Sequence, residues 1–392
     1  MSDGRWIALL CVARAGFALI FVAYSATLGL LKQDWGLSSA QAGLIQSAFH
    51  AGYLVSLFAI GFLADRYGAK RTFLATSIAA CASGLAFAAF ANGFVSALLL
   101  HALAGLCSGG SYTPGLTLIA ERFPATRRGR AMGYYLAASS LGYALSLWLS
   151  SLLIVASGWR AALVACALGP VAASLLAAWV LRGSRNVVHP AGYANPLRAL
   201  LDVWRNKPAM LAVWAYVFHS WELLGMWAWM PTYLGVVLAR GGEASAGTAS
   251  LGIAFAALSY LISTAGSIGG GVLSDRWGRT AVILLMSLAS LACSFTFGWL
   301  IAAPVWIVVA VAIAYNLTAI GDSSVYSTAM TELVPGQGLG AAWALRSVLG
   351  FGVGAVSPWV FGLVLDFGQK SAGIGAGAAW GWAWTALGVG AV

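Results

Sequence analysis

Charge is what this chain has least of. Only 8% of its 392 residues are Asp, Glu, Lys or Arg, and only 11 of those are acidic, where a soluble domain carries roughly a quarter charged residues. Hydrophobic residues make up 61%. A soluble fold of this size cannot hide so much apolar surface, so the composition excludes a water-soluble catalyst or regulator and makes lipid the solvent. Cysteine is scarce as well: Cys11, Cys81, Cys107, Cys166 and Cys293 each sit inside an apolar run. Their odd total and lack of metal-ligand spacing exclude a disulfide framework and a thiolate metal centre, leaving small buried hydrophobes. With four histidines and no cluster of nucleophile, base and orienting group, no enzyme, metal or cofactor is expected. The net charge of +10 lies in short clusters between apolar runs, not in one stripe, which argues against a nucleic-acid partner.

Glycine (48 residues) and tryptophan (18) are abundant, as expected where helices pack closely in lipid and aromatic rings anchor at its interfaces. A spanning helix needs about 20 mostly apolar residues. Twelve such runs are present: 6–31, 40–63, 72–91, 94–119, 131–155, 160–182, 208–236, 250–273, 280–302, 304–330, 340–366 and 373–392. The first contains Arg14 and is followed by no evident cleavage site, so it reads as a retained helix, not a signal peptide. With the N-terminus placed in the cytoplasm, fifteen of the 21 Lys and Arg fall inside and four outside, the other two being Arg14 and Arg346 within spans. That asymmetry predicts a multi-pass protein of the plasma (inner) membrane with both termini cytoplasmic.

The longest polar interruption, 183–207, includes His189, Pro190, Asn195, Arg198 and Arg205 and divides the chain into halves at 1–182 and 208–392. The halves read as copies. Gly61 to Arg71 spells G-F-L-A-D-R-Y-G-A-K-R between spans 2 and 3; Gly271 to Thr280 spells G-V-L-S-D-R-W-G-R-T between spans 8 and 9. Asp65 and Asp275 are 210 positions apart; Glu121 with Pro124 and Glu332 with Pro335 repeat at 211. Parallel six-helix repeats with a solute site between them are a transporter architecture.

The doubled G-x-x-x-D-R-x-G-x-K/R pattern resembles the signature loop of the major facilitator superfamily. E-R-F-P at Glu121, R-G-R at Arg128 and G-W-R at Gly158 add to the likeness. The resemblance implies an all-α membrane protein with twelve transmembrane helices in two pseudo-symmetric six-helix bundles. It also implies a cytoplasmic gate. Gly61 and Gly271 would allow close helix approach, and Gly68 and Gly278 a tight turn. Asp65 would face the positive start of span 11, and Asp275 that of span 5. Arg66 would lie near Glu121 and Arg276 near Glu332, with Lys70, Arg71 and Arg279 completing the basic set. There are departures: His101 stands four residues before Gly105 where many relatives have arginine, and span 5 lacks the Gly-Pro element of drug antiporters.

Charges at membrane depth cost about 2.5–3.5 kcal/mol or more each, so they usually line a cavity and act there. The candidates for solute binding or proton coupling are Arg14, His219, Trp221, Glu222, Asp322 and Arg346. Glu222 falls about 21 Å into span 7 at 1.5 Å per residue, near the midplane, one turn after His219. It reads either as a proton carrier beside a cation or as a structural ion pair. Asp322 is a second proton site or the partner of Arg346; its repeat counterpart is Ser111, beside Tyr112. Arg14 and Arg346 either snorkel to the headgroups or face the cavity, where guanidinium favours an anionic solute. His50 and His101 read as hydrogen-bonded helix residues, and Trp227, Trp229 and Tyr233 as interfacial anchors. The expected function is secondary transport of a small organic anion, coupled to protons, by alternating access in a monomer. The alternatives are a proton-coupled exporter and a non-transporting assembly or sensor protein on the same fold.

Overall fold

A computed structural model describes residues 1–188, 196–240, 245–335, 339–371 and 375–389. His189, Pro190 and Asn195 of the expected linker, and the end of the last apolar run at 390–392, lie outside them. The described residues form α1 (Asp3–Asp34), α2 (Ser39–Tyr67), α3 (Ala69–Phe90), α4 (Phe94–Ser108), α5 (Thr113–Arg122), α6 (Ala125–Val180), α7 (Pro196–Arg205) and α8 (Lys207–Leu238). There follow α9 (Ala246–Trp277), α10 (Arg279–Phe297), α11 (Val305–Gly321), α12 (Ser323–Leu333), α13 (Leu339–Gly354), α14 (Ser357–Lys370) and α15 (Ala376–Gly388). Twelve spans result. Among the described residues, nine helical stretches are long and apolar enough to cross a membrane, and one of these, Arg127–Val180, is 54 residues long. Gly158, at φ 81°, breaks it into spans 5 and 6. Span 7 is α8, whose tryptophans, His219 and Glu222 dilute its apolar character, and span 12 is the shorter α15.

The outward surface is that of a protein in lipid: Leu211 is 72% exposed, Trp306 71% and Leu175 70%. A bilayer lets helices turn large apolar side chains outward because every backbone group is satisfied within the helix. Within the first half α1 packs on α6 and α2 on α4; within the second α8 packs on α9 and α13, and α9 on α11. The halves meet where α1 crosses α8, α2 crosses α13 and α14, and α6 crosses α9.

Three spans are interrupted near mid-depth. Span 4 passes through a 3₁₀ turn at Gly109–Ser111 between α4 and α5, span 10 breaks at Asp322 between α11 and α12, and span 11 between α13 and α14. The first two breaks occupy equivalent places in the repeat. The signature loops repeat too: Gly68 (φ 87°, ψ 147°) and Gly278 (φ 87°, ψ 155°) end α2 and α9 in a conformation that only glycine adopts without strain. The short α7 follows the first half, and Asn206 then caps α8, accepting from Ala209 N–H and donating to the Leu333 carbonyl at 2.9 Å.

Both termini of the described chain lie on one face, called here the terminal face, and the opposite one is the far face. Among the described residues, the hydrogen bonds found between the halves sit on the far face. Asp366 accepts from Ser39 N–H and Ala40 N–H, Ser250 Oγ donates to the Ser151 carbonyl, and Trp359 N–H donates to Ser47 Oγ. On the terminal face Asp65, Arg66, Asp275 and Arg276 are exposed. The close approach expected at Gly61 is not made here, since nothing lies within 4 Å of a Cβ built there; that face of the helix looks into open space.

Candidate functional site

Two buried arginines, one from each half, define the site. Arg14 of α1 is 6% exposed and donates through Nε to Ser139 Oγ (2.7 Å) and through Nη1 to Ser111 Oγ (2.6 Å). Its guanidinium carbon stands 5.6 Å from the ring centres of both Tyr112 and Tyr135. Arg346 of α13 is 8% exposed, donates to Ser327 Oγ at 3.0 Å and lies 4.4 Å over the Tyr216 ring. Its Nε has no partner. Tyr112, from the break in span 4, lies within electrostatic reach of Arg14, Arg346 and Tyr216 together. The two cations, one from each bundle, therefore lie about the same tyrosine, in a polar region called here the chamber. Neither reaches a headgroup, because serine hydroxyls inside the bundle hold them.

Aromatic rings close the chamber towards the far face. Tyr53 meets Phe351 across the halves at 5.7 Å, and Tyr143 meets Trp227 at 5.4 Å. Phe21 packs on Tyr53 and Tyr143 behind them. Trp227 also donates to Asn316 Oδ1 at 3.2 Å, so it is a packed midplane residue and not the interfacial anchor that its place in a Trp-rich run suggests.

Behind the chamber wall of the second half sits a buried titratable group. His219 Nδ1 is 2.9 Å from Asp322 Oδ1, both side chains being about 5% exposed, and His219 Nε2 is 2.8 Å from Ser323 Oγ. Span 10 is interrupted at Asp322, between α11 and α12, and it is there that Asp322 and Ser323 meet His219 of α8. Glu222, one turn on, is 4% exposed. Its polar neighbours are Ser290 of α10, Tyr315 of α11, His219 and Asp322, and its Oε1 makes no hydrogen bond. Tyr216 and Tyr326 pack on the His219 ring at 5.6 and 5.5 Å. Thus Tyr216 touches both Arg346 and His219, linking the chamber to the carboxylates.

Several pairings differ from those expected. Asp322 lies beside His219, not Arg346, which is held by Ser327 of α12 and Tyr216 of α8. Glu222 has no arginine beside it: it turns into the second bundle, while Arg14 is held by the first. Trp221 lies on the other side of α8 and donates to the Ala386 carbonyl of α15 at 3.3 Å, packing inside the bundle. Trp221→Phe is accordingly expected to leave solute affinity within about twofold, checked by titration of binding; a tenfold loss would return Trp221 to the site. His101 is caged by Tyr24, Phe49 and Phe87 at 4.7–4.8 Å, and neither of its ring nitrogens is hydrogen-bonded. His50 is 3.0 Å from Gln46 Nε2.

On the terminal face Glu332 is bound by Arg279 (2.9 Å) and not by Arg276, and Arg279 also reaches Asp275 at 2.5 Å. Arg279 opens α10 directly across from the end of α12, whereas Arg276 precedes the Gly278 turn and projects away. Lys70 donates to the Ser184 carbonyl at 2.9 Å and Arg71 N–H to Asn186 Oδ1 at 3.1 Å, tying the first signature loop to the segment after α6. A separate cavity of about 500 Å³ on the far face, lined among others by Lys32, Gln33, Trp229, Arg240 and Gln369, contains none of the chamber residues.

Known proteins resemble this chain in sequence and in fold. The chain is 25% identical over 378 residues to a probable sulfoacetate transporter of Cupriavidus necator, covering 89% of this chain and 85% of that one. It is 26% identical over 357 residues to a hexuronate transporter of Bacillus subtilis, covering 86% and 82%. In fold it matches the crystal structure of a D-xylose–proton symporter with a TM-score of 0.78 at 15% identity, over 98% of this chain and 94% of that one. The family description "Major Facilitator Superfamily" matches residues 8–358. With that match spanning nearly all of the twelve helices, the chain belongs to the Major Facilitator Superfamily, as a multi-pass membrane transporter and not an enzyme.

Proposed function

We propose that this protein takes up a small organic anion across the plasma membrane together with protons, by alternating access. The halves 1–182 and 208–392 would rock about the segment 183–207, with the terminal face in the cytoplasm. One observation carries the reading: Arg14 and Arg346, buried on opposite halves, face the same chamber with neutral hydroxyls and rings as their only partners among the described residues. A buried guanidinium with no carboxylate is uncompensated, and an anion bridging the two halves supplies the missing charge through bidentate hydrogen bonds. Relatives named for sulfoacetate and hexuronate, both organic anions, support that choice. The His219–Asp322–Glu222 group is the proposed coupling site, since buried ionisable groups inside a membrane bundle are proton relays by default.

The test is uptake into proteoliposomes of sulfoacetate, glucuronate and a neutral sugar, with and without an acid-outside pH gradient. Accumulation of an anion that depends on the gradient and collapses with a protonophore is expected. Accumulation indifferent to the gradient overturns coupling, and transport of the neutral sugar alone overturns the anion reading.

A further inference from the structure

Helix α2 begins on the far face with the usual four unpaired N–H groups. Its own sequence satisfies what it can: Ser38 and Gln41 form a capping box, Ser38 Oγ accepting from Gln41 N–H and Gln41 Oε1 from Ser38 N–H. Ala42 N–H reaches the Ser38 carbonyl. The donors left over are those of Ser39 and Ala40. A residue 327 positions away takes both: Asp366 of α14 accepts from Ser39 N–H with Oδ1 and from Ala40 N–H with Oδ2, each at 2.8 Å. Ser39 is fully buried there. The carboxylate thus spans the two halves and meets the positive end of a helix, where a negative charge is most stabilised.

The surrounding contact has been shaped to let it form. Gly43 of α2 and Gly362 of α14 bring the two backbones together. A Cβ at Gly43 would strike the Pro358 carbonyl, and one at Gly362 the Ser39 carbonyl. At the other end of the same antiparallel pair, Asp65 stands two residues before the end of α2, exposed, on the face where span 11 begins at Leu339. Each of the two spans therefore has an acid near its C-terminal end, lying on the face where the partner span starts. Among the described residues, only the far-face acid is engaged.

We infer that Asp366 is a positioning residue for transport: it latches the far face by capping α2, and the solute enters from that side only after this cap is released. Asp65 is its counterpart in the opposite state, and the two caps exclude each other because spans 2 and 11 tilt as levers. This rests on the alternating-access reading above, but not on the identity of the solute.

The experiment measures spin-label distances between Asn92→Cys and Ala302→Cys, both exposed on the far face in opposite halves, in solute-free protein with its native cysteines replaced. Asp366→Asn, which keeps shape and removes charge, is expected to raise the far-open population about tenfold, and Asp366→Ala at least as much. Gly43→Val, which blocks closure sterically, should give the same long distance, and Asp65→Asn should not. If Asp366→Asn and Asp366→Ala leave the distance distribution at wild type while Gly43→Val lengthens it, the cap is not a latch and the inference falls. A single unchanging distance in all variants, including Gly43→Val, overturns alternating access itself.

Discussion

Arg14→Gln is expected to weaken solute binding by about 100-fold, the cost of removing one member of a buried charge pair. The measurement is ligand-induced thermal shift or calorimetry on the purified transporter, with the anion that proteoliposome uptake identifies. The size of the effect follows from what surrounds the side chain. Its contacts among the described residues include Ser139, Ser111, Tyr112, Tyr135 and Tyr53, all neutral. Hydroxyls and ring faces orient a guanidinium but do not cancel its charge, so the solute does. Arg346→Gln should behave alike, since Ser327 and Tyr216 are its counterparts in the other half. Arg14→Lys keeps the charge and loses the fork, and its affinity should fall between those of wild type and Arg14→Gln. A purely structural brace gives a different pattern. Melting temperature would then drop for Arg14→Gln while affinity stayed within about twofold, because Ser139 and Ser111 tie α1 to α6 and to span 4 whether or not solute is present.

How much of this could be read from the residues alone differs sharply between fold and site. Twelve apolar runs and the loops at Asp65 and Asp275 suffice for the architecture, because lipid imposes length and composition on each span independently of its neighbours. Rotation about each helix axis is another matter. Glu222 and Trp221 are adjacent, yet one faces Ser290 and Tyr315 and the other faces α15; a helix apolar on every side gives no moment from which to choose. Asp322 and Ser111 were aligned by the repeat, but their partners depend on breaks in spans 4 and 10, which the apolar runs do not reveal. Tyr53, Tyr143, Tyr216 and Phe351 sit in otherwise ordinary apolar runs. Nothing but their position opposite one another across the halves distinguishes them. Asp366 carries no local sign either, since the backbone that it caps lies 327 positions away.

Glu222→Gln is expected to abolish accumulation of the anion against its gradient while leaving exchange of external for internal anion nearly intact. Accumulation requires that a proton be carried on each cycle, whereas exchange requires only that the loaded carrier reorient. Glu222 meets the condition for the carrier because its Oε1 accepts no hydrogen bond and its neighbours on α10 and α11 are hydroxyls. An ionised carboxylate left so poorly satisfied inside a bundle is costly, and taking up a proton relieves that cost without moving a helix. Asp322 is differently placed. Its Oδ1 lies 2.9 Å from His219 Nδ1, an ion-pair distance without hydrogen-bond geometry, at the very break where α12 leaves α11. Asp322→Asn should therefore impair exchange as well as accumulation, since Ser323 and Ser327 of α12 lead directly from that pair to Arg346. The measurement is paired counterflow and gradient-driven uptake in the same proteoliposomes. Should Glu222→Gln accumulate anion like wild type, the carrier is not Glu222, and its burial among Ser290 and Tyr315 serves only to join spans 7, 9 and 10. Should both variants lose exchange equally, the three groups act as one structural knot, and coupling must be sought elsewhere in the chamber.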